Sequence, residues 1–229
     1  MVPPNTMKSL PRRAILHLKQ HPRWLLAFVL LNMGLGAIEL GMHPLFRQTA
    51  FQRLPAAATA EDRAVLSEML QEQLPLRLAF LPVRNALAWG LFGLCLYYTA
   101  LALGPLEPVR FVQVFALEVW AESTAALEAL ATLIRAWMDP SGSARGLIAP
   151  PFSLQGVLPA LNGLELHTLL SSLNVFTVLY LAVLTGGMAV LGGFRPGRAL
   201  LVVGCVWGVT VILNVAALSA LRGLLQLRL

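Results

Sequence analysis

The chain has 229 residues, of which 57% are hydrophobic and only 12% charged, with a formal net charge of +6 and a mean hydropathy of +0.71. Soluble domains spend about 25% of their residues on charge to cover their surface, so a soluble globular fold is excluded. The basic excess does not point to nucleic acid: Lys8, Arg12, Arg13, Lys19 and Arg23 crowd the stretch just before the first apolar run, with no interleaved aromatic residues and no basic module.

Residues 1–23 read as a cytoplasmic basic segment, and its cations are the main topology determinants under the positive-inside rule. The first apolar run, Trp24–Met42, is long for the core of a signal peptide. The only small-residue stretch that could be cleaved, Ala56–Ala60, lies well past its end, so the run is expected to be retained as span one. A polar segment of about 35 residues follows. Within it, Thr59-Ala60-Glu61-Asp62 has the form of an N-cap and an acidic first turn. Val65, Leu66, Met69, Leu70 and Leu74 then recur at helical spacing. This predicts a short amphipathic helix outside the bilayer. Its polar face is acidic, which favours packing on the bundle or on a partner over binding anionic lipid.

Span two is expected at 80–104, with Arg84 snorkelling to the near interface. The turn Pro105-Leu106-Glu107-Pro108 leads to span three at 111–137, which carries Glu118, Glu122, Glu128 and Arg135 among apolar and small residues. Met138-Asp139-Pro140-Ser141-Gly142 ends it with turn residues. A Pro- and Gly-rich outer loop reaches about His167. Span four is expected at 168–191, a basic turn with Arg195 and Arg198 follows, and span five runs over 199–221 before a stub at 222–229. The prediction is thus an all-α polytopic membrane protein, a bundle of five transmembrane helices with a short extracytoplasmic amphipathic helix. The first helix and the Arg195/Arg198 turn both place the N-terminus inside, and five spans then put the C-terminus outside.

Span four carries the most specific pattern. Leu173-Asn174-Val175-Phe176-Thr177 opens an apolar run containing Gly187, and Gly197-Arg198-Ala199-Leu200 follows the basic turn. Together with the Phe111-Val112-Gln113-Val114-Phe115 entry to span three, and a first span, a helix-containing outer loop and four paired spans, this resembles the bacterial branch of the Yip-domain family of integral membrane proteins. The likeness covers about Pro22 to Leu221. Leu179 stands where relatives often carry an aromatic residue, beside Tyr180, and the glutamates of span three are no family feature. Eukaryotic members of that family bind Rab-type GTPases. The Arg-, Ala- and Leu-rich, Lys-poor composition reads as bacterial, and some bacterial relatives accompany ABC-type exporters. The resemblance implies a non-enzymatic adaptor, scaffold or accessory subunit in the cytoplasmic (inner) membrane, with a membrane-protein partner or a second copy of itself.

The polar residues inside the spans admit several readings. At about 100° per residue, Glu118 and Glu122 lie about 40° apart on one face, with Glu128 about 80° from Glu118. An ionised carboxylate in hydrocarbon costs at least about 2.5 kcal/mol, so these groups should face the bundle interior, a partner or water. They could form a proton or cation relay, which would make the protein a small transporter or channel. They could dock a partner's basic or polar transmembrane residue. Alternatively span three is shifted towards the interface, with Glu118 solvated and Glu128 pairing with Arg135. Asn174 and Thr177 either cross-link helices, at about 0.6 to 2 kcal/mol each, or cap and wet the end of span four. Gly186, Gly187, Gly192 and Gly193 favour close helix approach. Cys95 and Cys205 lie within spans and form no CxxC, and His17, His21, His43 and His167 share no ligand spacing. No hydrolase, zinc or phosphate-loop motif occurs, so neither an enzyme nor a cofactor is expected.

Overall fold

The structure, a computed structural model, describes residues 24–52, 59–138, 152–153 and 169–226. The basic N-terminal determinants Lys8, Arg12, Arg13, Lys19 and Arg23 lie outside the described residues. The described elements are all helical: α1 Trp24–Gln52, α2 Ala60–Ala102, α3 Phe111–Ala121, α4 Ser123–Met138, α5 Val175–Gly192 and α6 Pro196–Gln226. An isolated bridge between Ser153 and Asn174 is the one extended pairing among the described residues. Four helices, α1, α2, α5 and α6, are long and apolar enough to cross a membrane, which marks the chain as a membrane protein.

Two elements differ most from the sequence expectation. The amphipathic segment and span two form one unbroken helix, α2, of 43 residues with Pro75 and Pro82 inside it. At 1.5 Å per residue it is about 65 Å long, about twice the hydrocarbon thickness. Thr59 caps its start. The hydroxyl accepts from the Asp62 amide at 3.2 Å, and the Asp62 carboxylate accepts from the Thr59 amide at 2.8 Å, a reciprocal capping box. Each proline removes a backbone donor, yet the helix continues because α1 runs antiparallel beside it on both sides of Pro75. Arg77 pairs with Glu39 at 2.6 Å. The His43 ring lies 3.3 Å from the Leu70 carbonyl. Further along, Asn85 donates to Asn32 at 2.9 Å, and Trp89 meets Phe28 edge-on with ring centroids 5.5 Å apart. Glu39 thus has a specific partner within the chain. Likewise α1 itself passes through Pro44 to Gln52, beyond the expected end at Met42.

The second difference is span three, which is two helices. α3 stops at Ala121, Glu122 forms a turn, and α4 resumes at Ser123. The backbone is nearly continuous, since the Glu122 amide donates to the Glu118 carbonyl and the Ala126 amide to the Glu122 carbonyl. At the interruption, the Ser123 hydroxyl donates to the Trp120 carbonyl at 2.7 Å and the Thr124 hydroxyl to the Ala121 carbonyl at 2.9 Å. Those side chains satisfy acceptors that an apolar surround would leave costly.

α3 occupies the centre and packs against α1, α2 and α5. The core joins Leu96 and Ala100 of α2, Val114, Leu117 and Ala121 of α3, Leu184, Met188 and Leu191 of α5, and Val202, Val203 and Val206 of α6. A Cβ on Gly187 would overlap the Leu117 side chain, so the absent side chain sets how closely α5 approaches α3. Gly186, by contrast, faces open space. Gly193 ends α5 at φ +64°, a left-handed cap. The Gly192 carbonyl accepts from the Leu106 and Glu107 amides at 2.9 and 3.3 Å, tying the turn after α2 to the turn after α5 at one end of the bundle.

Candidate functional site

Glu118 and Glu128 fall on either side of the interruption in span three and Glu122 sits at it, and all of them border one cavity of about 320 Å³. The same cavity is lined by Trp89 and Phe92 of α2, Phe176, Thr177 and Tyr180 of α5, and Trp207 and Thr210 of α6. It thus draws polar groups from several helices, and no basic side chain is among its described lining residues.

Glu118 and Glu128 have different donors. Glu118 is 1% exposed, and its Oε1 accepts from the Tyr180 hydroxyl at 2.6 Å. Its Oε2 is buried without a hydrogen-bond partner among the described residues. Glu122 borders the cavity together with Trp89. Glu128 accepts from the Asn174 amide nitrogen at 3.0 Å. That amide also caps α5, with its oxygen accepting from the Thr177 amide at 2.8 Å. Asn174 therefore both caps a helix and cross-links two of them, so the two readings of this residue are not exclusive. Thr177 sits on the cavity wall with its hydroxyl 3.3 Å from the Asn174 oxygen.

Arg135 is not part of this site. It is exposed on α4 and absent from the cavity lining, and the carboxylate of Glu128 is taken by Asn174 rather than by Arg135. Arg195 and Arg198 are exposed beside the turn between α5 and α6, at the same end as the turn after α2. Among the described residues no cluster of His, Cys, Asp or Glu side chains is close enough to hold a metal ion. The cysteines stay apart and free.

Sequence reasoning missed the aromatic wall and the hydroxyl that meets Glu118. The signal was present as i, i+3 and i, i+4 spacing, which places residues on one helical face: Trp89 with Phe92, Phe176 and Thr177 with Tyr180, and Trp207 with Thr210. It could not be recognised without knowing which faces converge.

Chemically, the arrangement concentrates carboxyl groups at a helix interruption in a mostly aromatic and apolar setting. Charge balance there requires protons or a bound cation. Comparison with protein-family models, characterised proteins and solved structures returned no match.

Proposed function

We infer that the protein is a small membrane transporter or channel component whose third span, through Glu118, Glu122 and Glu128, binds a cationic solute or couples to protons. The observation that carries this reading is the convergence of those carboxyls, from both sides of a helix interruption, on one cavity shared with α2, α5 and α6. Interrupted helices are tolerated at membrane depth where they line a cavity or are buried in protein, and transporters place binding sites there. The test is flux. Purified protein in liposomes should carry protons or cations, and Glu118→Gln and Glu122→Gln should each lose that flux. A folded, monodisperse preparation without flux overturns the reading.

A second reading stays with the Yip-like resemblance, in which the chain is an adaptor or accessory subunit, for instance beside an ABC-type exporter, or a homo-oligomer. Glu122 and Glu128, which are only partly buried where they border the cavity, support it, because a partner's basic transmembrane residue would pair with them. Purification from native membrane in mild detergent distinguishes the two. Under this reading a partner co-purifies with the wild type and is lost from Glu128→Gln.

Both readings place the chain in a bacterial inner membrane with the N-terminus cytoplasmic. α3 and α4 together form one crossing, making five spans, and the polar first half of α2 stands outside the hydrocarbon on the far side. The joining of the two turns at Gly192 supports that path, since an N-inside chain of five spans brings both turns to the cytoplasmic face.

A further inference from the structure

The geometry points to an organic ammonium cation as the ligand of this cavity, with its charged head at Glu118 and Glu122 and its apolar body among Trp89, Phe92, Tyr180 and Trp207. This rests on the reading of the cavity as a solute site and names the chemistry that the site selects.

Sign of charge comes first. The lining carries carboxyl groups and no basic side chain, so an anion is disfavoured at every position. An unpartnered carboxyl oxygen, Glu118 Oε2, is buried at the cavity wall in a residue only 1% exposed. Buried polar atoms in native proteins are normally paired, and the residue that carries this one borders the cavity.

Size and coordination separate an organic cation from a metal ion. The carboxyls do not gather closely enough to enclose an ion. Glu118 and Glu128 are ten residues apart, about 15 Å along the helical path. An inorganic cation stripped of water would need a shell of oxygen ligands, which indole and phenyl faces do not supply. The same faces suit an alkylammonium group, because aromatic rings attract a weakly hydrated cation through their negative π-faces. A volume of about 320 Å³ accommodates a molecule with an apolar body, at the lower end of the usual range for small-molecule sites, roughly 300 to 1,000 Å³. Glu128, held by Asn174 further along, is placed for a second amine on an elongated ligand.

The test is calorimetric titration of the protein in detergent with benzylammonium, whose N–H groups can donate to the carboxyls. Sodium chloride and benzyl alcohol serve as the inorganic cation and the uncharged aromatic. Saturable binding is expected, weakened at least tenfold by Glu118→Gln and at least fivefold by Trp207→Leu. Trp207→Phe, which keeps an aromatic face, should restore most of the loss. A tenfold excess of sodium ion or benzyl alcohol should not compete. Size-exclusion profile and Tm establish that each variant is folded; if Glu118→Gln does not fold, Glu122→Gln takes its place with the same expected loss. Sodium or proton binding that depends on Glu118, without ammonium binding, overturns the ligand class and leaves the solute-site reading standing. Absence of any cation binding that depends on Glu118 or Glu122 overturns both. Ammonium binding unchanged in the Glu118 and Trp207 variants overturns the placement of the ligand.

Discussion

Tyr180 and Asn174 are the two residues on which the positions of the cavity carboxyls depend, and they do so by different means. Tyr180→Phe removes the donor to Glu118 Oε1 and leaves that carboxyl without a protein partner at either oxygen. A buried group left unsatisfied costs about 1 to 3 kcal/mol, so a fall in Tm is expected in detergent, alongside weaker cation binding. An unchanged Tm would mean that water or a detergent group replaces the hydroxyl. Asn174→Ala removes both the cap of α5 and the donor to Glu128. A lost cap alone costs about 1 kcal/mol; Asn174→Asp, which keeps the capping oxygen, should recover that part and leave Glu128 facing a like charge. At the polar end of α2, Asp62 is held below its ordinary carboxylate value of 3.8, chiefly because it accepts from the Thr59 amide and then from the Thr59 hydroxyl. A depressed native value means that the capping contribution is complete above the ordinary value and lost as pH falls through the lowered one. The amide chemical shifts of Thr59 and Asp62 should therefore hold steady to about pH 4 and change below it. A midpoint above 3.8 would show that the box does not form in solution.

At the scale of elements, the decisive contact is that of α5 with α3. Gly187→Ala would force a methyl group into Leu117, a buried core residue, and overpacking of this kind costs about 1 to 3 kcal/mol. The double variant Gly187→Ala with Leu117→Ala should regain part of the Tm lost by Gly187→Ala alone. Two independent losses that simply add would show that the helices do not meet there. This element pair also shows what could be read from the chain alone. Long apolar runs made the membrane helices legible, because hydrocarbon thickness imposes a length that few other structures require. The charged face of span three was legible for the same reason, as carboxyls in an apolar run have few places to go. The interruption at Glu122 was not legible, since Ser123 and Thr124 are ordinary helix residues until their hydroxyls are seen on the Trp120 and Ala121 carbonyls. Nor was the continuity of α2 through Pro75, which depends on α1 lying beside it with Glu39 placed for Arg77. In both cases the determining partner is distant in sequence or is the backbone itself.

For the whole molecule, the pairing of its ends decides whether the bundle is threaded as five spans. The turn after α2 and the turn after α5 share hydrogen bonds at Gly192, so Glu107 and Arg195 belong to one end. Along α1 and α2, the pairs Asn32–Asn85 and Glu39–Arg77 proceed away from that end towards Glu68. The helical path from Glu68 to the end of α2 at Ala102 is about 51 Å, well over the hydrocarbon thickness of about 30 Å, so Glu68 and Glu107 should lie on opposite faces of the membrane. Single cysteines introduced as Glu107→Cys, Arg195→Cys and Glu68→Cys, in a background with Cys95→Ser and Cys205→Ser, give a direct measurement with an impermeant maleimide on sealed vesicles. Glu107→Cys and Arg195→Cys should label from the same side, and Glu68→Cys only from the other. Under the proposed N-inside topology that shared side is expected to be the cytoplasmic one, because short loops rich in Arg are retained there. Labelling of Glu107→Cys and Arg195→Cys from opposite sides would require α3 and α4 to turn back rather than cross. The cavity would then open from one face alone, which is compatible with docking a partner but not with passing a solute across.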